Sequence, residues 1–238
     1  MRSFEERLGE QVKATGYELH TNVMTGKLEG ITGFGTTCQV NEWCQELMQN
    51  PCLICSRCYA DVTTRRYDAL EQWLEHNYEL LTSRILDPEE FPIIPTFYGR
   101  IEPFGDLAKG EKGVIQSINY IQFCKRNSHA RIGWWTKHPQ QIEEAIRRGY
   151  DKPENVNIVY SGYKINEDIS YEEIHEKYPF VDKVFIVFDK NYVKENGIEI
   201  NCGGRHCRGC LICYEKNDIH VVHGQLKAGR KQEYTAIS

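Results

Sequence analysis

The sequence predicts an α/β protein: an open or partial (β/α) barrel built on a parallel sheet, with cysteine-rich metal-binding loops attached. Three observations predict it. Apolar strand-like runs alternate with helical patterns at least three times after residue 96. The chain has 238 residues, 40% of them hydrophobic, enough to build a core without covalent staples. It nevertheless carries 10 cysteines, and most of them crowd into two short segments. A doubly wound sheet is the alternative architecture.

Residues 1 to about 37 hold a short helix and then a Gly-punctuated, Thr-rich stretch around Thr25-Gly26, Gly30, Gly33 and Gly35 that suggests extended segments and turns. From Thr64 onward Tyr67, Leu70, Leu74, Tyr78, Leu81 and Ile85 recur at steps of three and four. That spacing places one apolar stripe on a long helix, closed by Pro88 and Pro92. Phe97 to Ile101 reads as a strand, Gly113 to Cys124 as a helix and Ile132 to Trp135 as a strand. Gln140 to Arg148 follows as a helix, Val156 to Tyr160 as a strand, Tyr171 to Lys177 as a short helix and Val184 to Phe188 as a strand. Parallel strands need long return connections, and helices supply them. The barrel is assigned to residues 1–200, with a cysteine loop over 38–58, and a cysteine-rich metal-binding segment to 201–238.

Function gathers at the carboxyl ends of such strands. Gly105-Asp106, Thr136-Lys137-His138, Ser161 and Asp189 stand at those ends. Trp134-Trp135 and Cys124 read as core, and His220 and His223 fall on opposite strand faces or in a turn, which argues against a shared metal. No phosphate-cradling loop, serine nucleophile elbow or dinucleotide fingerprint is present.

The two cysteine segments carry the chemistry. Cys52, Cys55 and Cys58 form one C-x2-C-x2-C, with Cys38 and Cys44 upstream, and Cys207, Cys210 and Cys213 form a second, with Cys202 before it. Each triplet is followed by a tyrosine, Tyr59 or Tyr214. Core cysteines follow helix or strand periodicity, so the same spacing repeated about 150 residues apart points to ligands. Three thiolates at two-residue gaps suit three irons of a [4Fe-4S] cluster, whereas structural zinc takes cysteine pairs from two segments. One or two [4Fe-4S] clusters are expected, with zinc as the alternative. Cys202 completes a four-thiolate set within 12 residues, while the first triplet can draw on Cys38 or Cys44 or leave one iron open. Arg57, Arg205, His206 and Arg208 can offset cluster charge, and Gly203, Gly204 and Gly209 let backbone amides approach the sulfurs.

The run Cys52-Leu53-Ile54-Cys55-Ser56-Arg57-Cys58-Tyr59-Ala60, then Arg100 with Gly105-Asp106-Leu107, then Trp135-Thr136-Lys137, resembles the cysteine-rich gene product 88 family of phages and mobile elements. That resemblance implies a genomic setting and no reaction. The layout is also similar to that of radical S-adenosylmethionine enzymes. On that likeness Cys52, Cys55 and Cys58 hold three irons, Gly105 and Asp106 contact the cofactor's ammonium group, and the C-terminal quartet is an auxiliary cluster. Two departures stand out: the first gap of the triplet is two residues rather than three, and one glycine precedes the acid.

Two functions compete. One is a radical-type iron–sulfur enzyme in which Asp106, Lys137 and Asp189 contact S-adenosylmethionine or an unknown small substrate. The other is a non-catalytic zinc or cluster protein that recognises nucleic acid or a host protein, motivated by the basic ligand loops and by Lys227, Arg230 and Lys231. With 29 Lys and Arg against 34 Asp and Glu, the net charge of -5 counts against nucleic acid. No apolar run reaches the roughly 18 residues a membrane span requires. The acidic, polar start Met1 to Leu8 lacks the signature of a secretory signal, so a cytoplasmic, reducing location is expected.

Overall fold

The computed structural model describes residues 2–202 and 206–226. Its elements, in order, are α1 (Phe4–Thr15), β1 (Asn22–Val23), β2 (Thr32–Phe34), α2 (Glu42–Met48), α3 (Tyr59–Thr64) and α4 (Asp68–Ser83). Then come β3 (Tyr98–Ile101), α5 (Gly110–Arg126), β4 (Arg131–Thr136), α6 (Pro139–Arg147), β5 (Val156–Ile165) and α7 (Tyr171–Lys177). The chain finishes with β6 (Lys183–Phe188), α8 (Lys190–Asn196), α9 (Cys207–Cys210) and β7 (Val221–Gln225).

The seven strands form one sheet whose spatial order is the order of the sequence. All neighbours from β2 to β7 pair in parallel, and only β1 lies antiparallel to β2. A doubly wound sheet reverses its strand order part-way, and this one does not. The sheet is not closed, since β1 and β7 do not pair with each other among the described residues. Among those residues, no helix is long and apolar enough to cross a membrane.

Strand alternation sorts the two faces of the sheet. Ile101, Ile132, Trp134, Val156 and Ile158 point to one face and form the main core with Leu81, Ile118, Phe123 and Ile142 of the helices. Arg100, Gly133 and Asn157 are register partners in one row on the opposite face. That face is covered by the C-terminal segment: Asn157 Nδ2 donates to the Glu215 carbonyl at 3.0 Å, and a Cβ built on Gly133 would lie 3.2 Å from the Cys213 carbonyl oxygen.

Buried amides fasten the long connection between α4 and β3. Asn119 accepts from Leu86 N at 2.9 Å and donates to the carbonyls of Leu81 and Arg84, both at 2.8 Å. Asn127 does the same for Ile94 N and the Pro92 carbonyl. Buried polar groups placed this way satisfy main-chain groups that no strand or helix serves.

The long helix expected from Thr64 to Ile85 is present as α4, Asp68–Ser83, and a separate short helix, α3, ends at Thr64 ahead of it. The two are separated at Arg65-Arg66-Tyr67, where Thr64 Oγ1 bonds back to the Ala60 carbonyl at 3.0 Å and Tyr67 takes a non-helical backbone before α4. Such back-bonding competes with helix propagation. Tyr67 is exposed, Ile85 lies beyond the helix and is exposed too, and Leu74 and Leu81 are the stripe residues that reach buried positions. The expected helices over 113–124, 140–148 and 171–177 are present as α5, α6 and α7, and the expected strands as β3 to β6. Trp134 and Cys124 lie in the core as read, whereas Trp135 is half-buried on the other face.

Candidate metal centres

The first centre is assembled at the carboxyl edge of the sheet. After β2 the chain crosses the loop that follows β3, where Cys38 N donates to the Phe104 carbonyl at 3.0 Å. Asn41 then fixes the next helix. Its Oδ1 accepts from Trp43 N and Cys44 N, capping α2, while its Nδ2 donates to the Asp106 carbonyl at 2.7 Å. The triplet segment follows as a 3-10 turn, Ile54–Arg57, and Cys58 stands at the start of α3.

This folding brings together Cys38, Cys44, Cys55 and Cys58, which are buried or half-buried. Cys52 is exposed at the outer rim of the turn. Burial and the neighbouring Asp106 and Cys58 push the Cys44 thiol well up, and burial pushes the Cys55 thiol up against the opposing pull of Lys137. Cys38 and Cys58 share a hydrogen bond that raises the first thiol and lowers the second. Lys137 reaches the same place from the end of β4. Burial opposes its charge, but Cys55, Asp106, Cys58 and Cys44 favour it, so the ammonium is held above its ordinary range. Its Nζ donates to Ser161 Oγ at 3.3 Å and makes no ion pair among the described residues.

The second centre lies against the sheet face that bears Arg100. Cys202 bridges to Gly224 of β7, and Lys27 Nζ donates to Cys202 Sγ at 3.3 Å. Cys207 and Cys210 bound α9, which ends at Leu211 in a left-handed conformation and delivers Cys213 and the buried Tyr214 to the sheet. Burial pushes Cys213 up to about 12, with the charges of the other three thiols adding and Arg100 opposing; Cys207 is raised by burial, with Lys27 and Arg100 opposing. Arg100 stacks its guanidinium over Trp135, 4.0 Å from the ring centroid. Its Nε is sealed from solvent and has no hydrogen-bond partner, and among the described residues it forms no ion pair.

Burial favours the neutral thiol at Cys44, Cys55, Cys207 and Cys213, and a metal cation bound there would have to take the proton's place. None of the ten cysteines forms a disulfide. As the side chains stand, no three His, Cys, Asp or Glu groups among the described residues are arranged to hold one metal ion.

The residues expected to meet S-adenosylmethionine are engaged within the chain. Asp106 Oδ1 accepts from Thr136 Oγ1 at 2.7 Å and Leu107 N at 2.8 Å, and its Oδ2 accepts from Lys137 N at 3.0 Å. A Cβ on Gly105 would come within 2.6 Å of Glu102 Oε2, so the glycine is there to let the loop close over that acid. Three of the roughly four acceptor positions of the Asp106 carboxylate are thus filled within the chain, and the residue is buried. Asp189 caps α8 and accepts from Asn166 Nδ2 at 2.6 Å; with Arg57, Asn166, Lys190 and Tyr192 it lines an open cleft of about 500 Å³. Arg208 packs beside Gly30, and His206 Nδ1 lies 3.0 Å from the Gly26 carbonyl. Gly203, Gly204, Arg205, Lys227, Arg230 and Lys231 lie outside the described residues.

Two groups escaped the sequence reading of the site. Lys27 carries no local signal. Glu102 carries none either, yet it is 3% exposed beneath the first centre and receives hydrogen bonds from Thr36, Gln116 and Tyr120. Comparison with protein-family models, with characterised proteins and with solved structures finds no match to this chain.

Proposed function

We propose that this chain is an iron–sulfur protein that holds two [4Fe-4S] clusters on an open, partial (β/α) barrel, one at the carboxyl edge of the sheet and one against the face that bears Arg100. The observation that carries the reading is the placing of two cations. Arg100 and Lys137 stand half-buried beside the two sets of thiols, and neither forms an ion pair among the described residues, although Asp106 lies near Lys137. A half-buried cation gains from further negative charge close by. A cubane bound by four thiolates carries net negative charge, and each cation faces one set of sulfurs.

Such a cluster supplies one-electron transfer when bound. The chain's residues prepare for it. Cys202, Cys207, Cys210 and Cys213 are the ligands of the C-terminal site, and the triplet region supplies those of the other. Lys27, Arg100 and Lys137 favour the more negative, reduced state, while Trp135 and the buried Tyr214 shield the face from water. With Asp106 engaged by its own chain, the reading is of an electron-carrying protein, and no step is derived through S-adenosylmethionine. The resemblance to the gene product 88 family suits a protein encoded by a phage or mobile element. Zinc would satisfy the same sulfurs, and the experiment separates the two. Protein purified without oxygen is titrated with dithionite and then exposed to air. Broad visible absorbance that bleaches reversibly on reduction supports the proposal; a colourless chain with no redox-active chromophore overturns it.

A further inference from the structure

The edge site has five cysteines to choose from, and the fold distinguishes between them. We propose that Cys38, Cys44, Cys55 and Cys58 form its ligand set and that Cys52, the first residue of the C-x2-C-x2-C motif, stands outside it. This assignment rests on the cluster-binding reading above and carries it further, because a site with four thiolates has no iron left open for a small-molecule ligand.

The choice follows from what holds each sulfur in place. Cys38 is 2% exposed and packs with Ala60, Leu74 and Phe104, with Cys44 and Cys58 against it. Cys58 shares a hydrogen bond with Cys38, Cys44 packs against the same cluster, and Cys55 lies in the turn that leads into Cys58. The supports are polar and specific. Gln45 Nε2 donates to the Cys38 carbonyl at 2.8 Å, and Gln39 Nε2 reaches from beside Cys38 to Asp61 Oδ1 at 2.8 Å and Thr64 Oγ1 at 3.2 Å. The Gln39 bonds tie the segment 38–45 to α3, which Cys58 precedes, and Asn41 ties the same segment to Asp106. Bonds of this kind fix the main chain that carries Cys38, Cys44 and Cys58, so that only side-chain rotation is needed to bring the sulfurs onto a metal. Cys52 has no comparable support. Its main chain is fixed by Asn50 Oδ1 at 3.0 Å, but its side chain is exposed and lies outside the buried cluster that holds Cys38, Cys44 and Cys58.

The test uses the full chain, reconstituted without oxygen with ferrous iron and sulfide, and compares Cys38→Ala, Cys44→Ser and Cys52→Ser by iron and sulfide content. Two loaded sites give about eight irons per chain. The assignment predicts that Cys44→Ser and Cys38→Ala fall to about four while Cys52→Ser keeps about eight. Retention of the C-terminal site's iron shows that each variant has folded. Loss of half the iron in Cys52→Ser, with Cys44→Ser unaffected, overturns the assignment. A second readout needs no variant: the rate at which iodoacetamide labels Cys52 is the same in metal-loaded and metal-free wild type if Cys52 is not a ligand, and a many-fold slowing on loading overturns the proposal. If the wild type takes up zinc and no iron, the cluster reading fails while the ligand set is still decided by the same variants through zinc content. If it takes up no metal, both fail.

Discussion

Replacing Glu102 by glutamine isolates one buried charge beneath the edge site. Glu102 sits at the end of β3 with φ of 55°, where a non-glycine residue is held only by its surroundings. Its carboxyl accepts from Thr36 N at 3.2 Å, Thr36 Oγ1 at 3.0 Å, Gln116 Nε2 at 2.7 Å and the Tyr120 hydroxyl. Burial pushes the acid from 4.5 up to about 8 against the downward pull of those hydrogen bonds, and nearby Asp106 adds to the rise. Because the folded value is raised, the stabilisation is fully present below pH 4.5 and is lost as pH climbs through about 8. One pH unit in that window removes about 1.4 kcal/mol, so about 4 kcal/mol disappears between pH 5 and pH 8. Glutamine does not titrate. Its amide must turn one N–H toward either Thr36 N or Gln116 Nε2, which costs about 1–2 kcal/mol at every pH. Glu102→Gln is therefore less stable than wild type at pH 5, matches it near about pH 6, and is more stable by about 2–3 kcal/mol at pH 8. Urea unfolding of both chains, followed by far-ultraviolet circular dichroism from pH 5 to 8, measures the difference, and titrations common to both chains cancel. A difference that stays constant across that range would refute the buried neutral acid.

Three further outcomes are expected. Arg100→Gln removes the cation facing Cys207 and Cys213, so the reduction potential of the C-terminal cluster falls by on the order of 50 mV in a redox titration; an unchanged potential means the guanidinium acts through packing alone. Asp106→Asn weakens the bonds to Thr136 and to the amides of Leu107 and Lys137 and costs about 2 kcal/mol in urea unfolding; a loss below about 0.5 kcal/mol would show that the clamp between the β3 loop and β4 is not under load. Gly113→Ala places a Cβ 2.0 Å from the Ala108 carbonyl oxygen, forcing the start of α5 away from its loop. A destabilisation of about 3 kcal/mol is expected, and a variant as stable as wild type contradicts that close approach.

The elements that could be read from sequence are those whose pattern is local and long enough to repeat. α5, α6 and α7, and strands β3 to β6, each show an apolar period that sets their type. β2 and β7 were not assigned because their signal is weak: β2 is three residues, Thr32–Phe34, and β7 sits beside histidines that obscure its alternation. The short helix α3, Tyr59–Thr64, has too few residues to show an apolar period of its own, and what separates it from α4 is the non-helical Tyr67 next to a side-chain bond from Thr64. Within the candidate centres, spacing alone identified both cysteine motifs. It could not rank Cys38 and Cys44 against Cys52, since Asn41 and Gln39 fix the segment 38–45 through contacts with Asp106 and Asp61 that are distant in sequence. Arg100 was half legible. Alternation along β3 puts it on the face opposite Ile101, but the thiols it meets arrive more than a hundred residues later.

The most direct measurement of the central claim is the content of iron, acid-labile sulfide and zinc in full-length protein prepared without oxygen. Two thiolate-held clusters predict about eight irons with an equal amount of sulfide, and no stoichiometric zinc. One or two equivalents of zinc with no sulfide would contradict the account, and would leave the same cysteines serving a structural ion instead of an electron carrier.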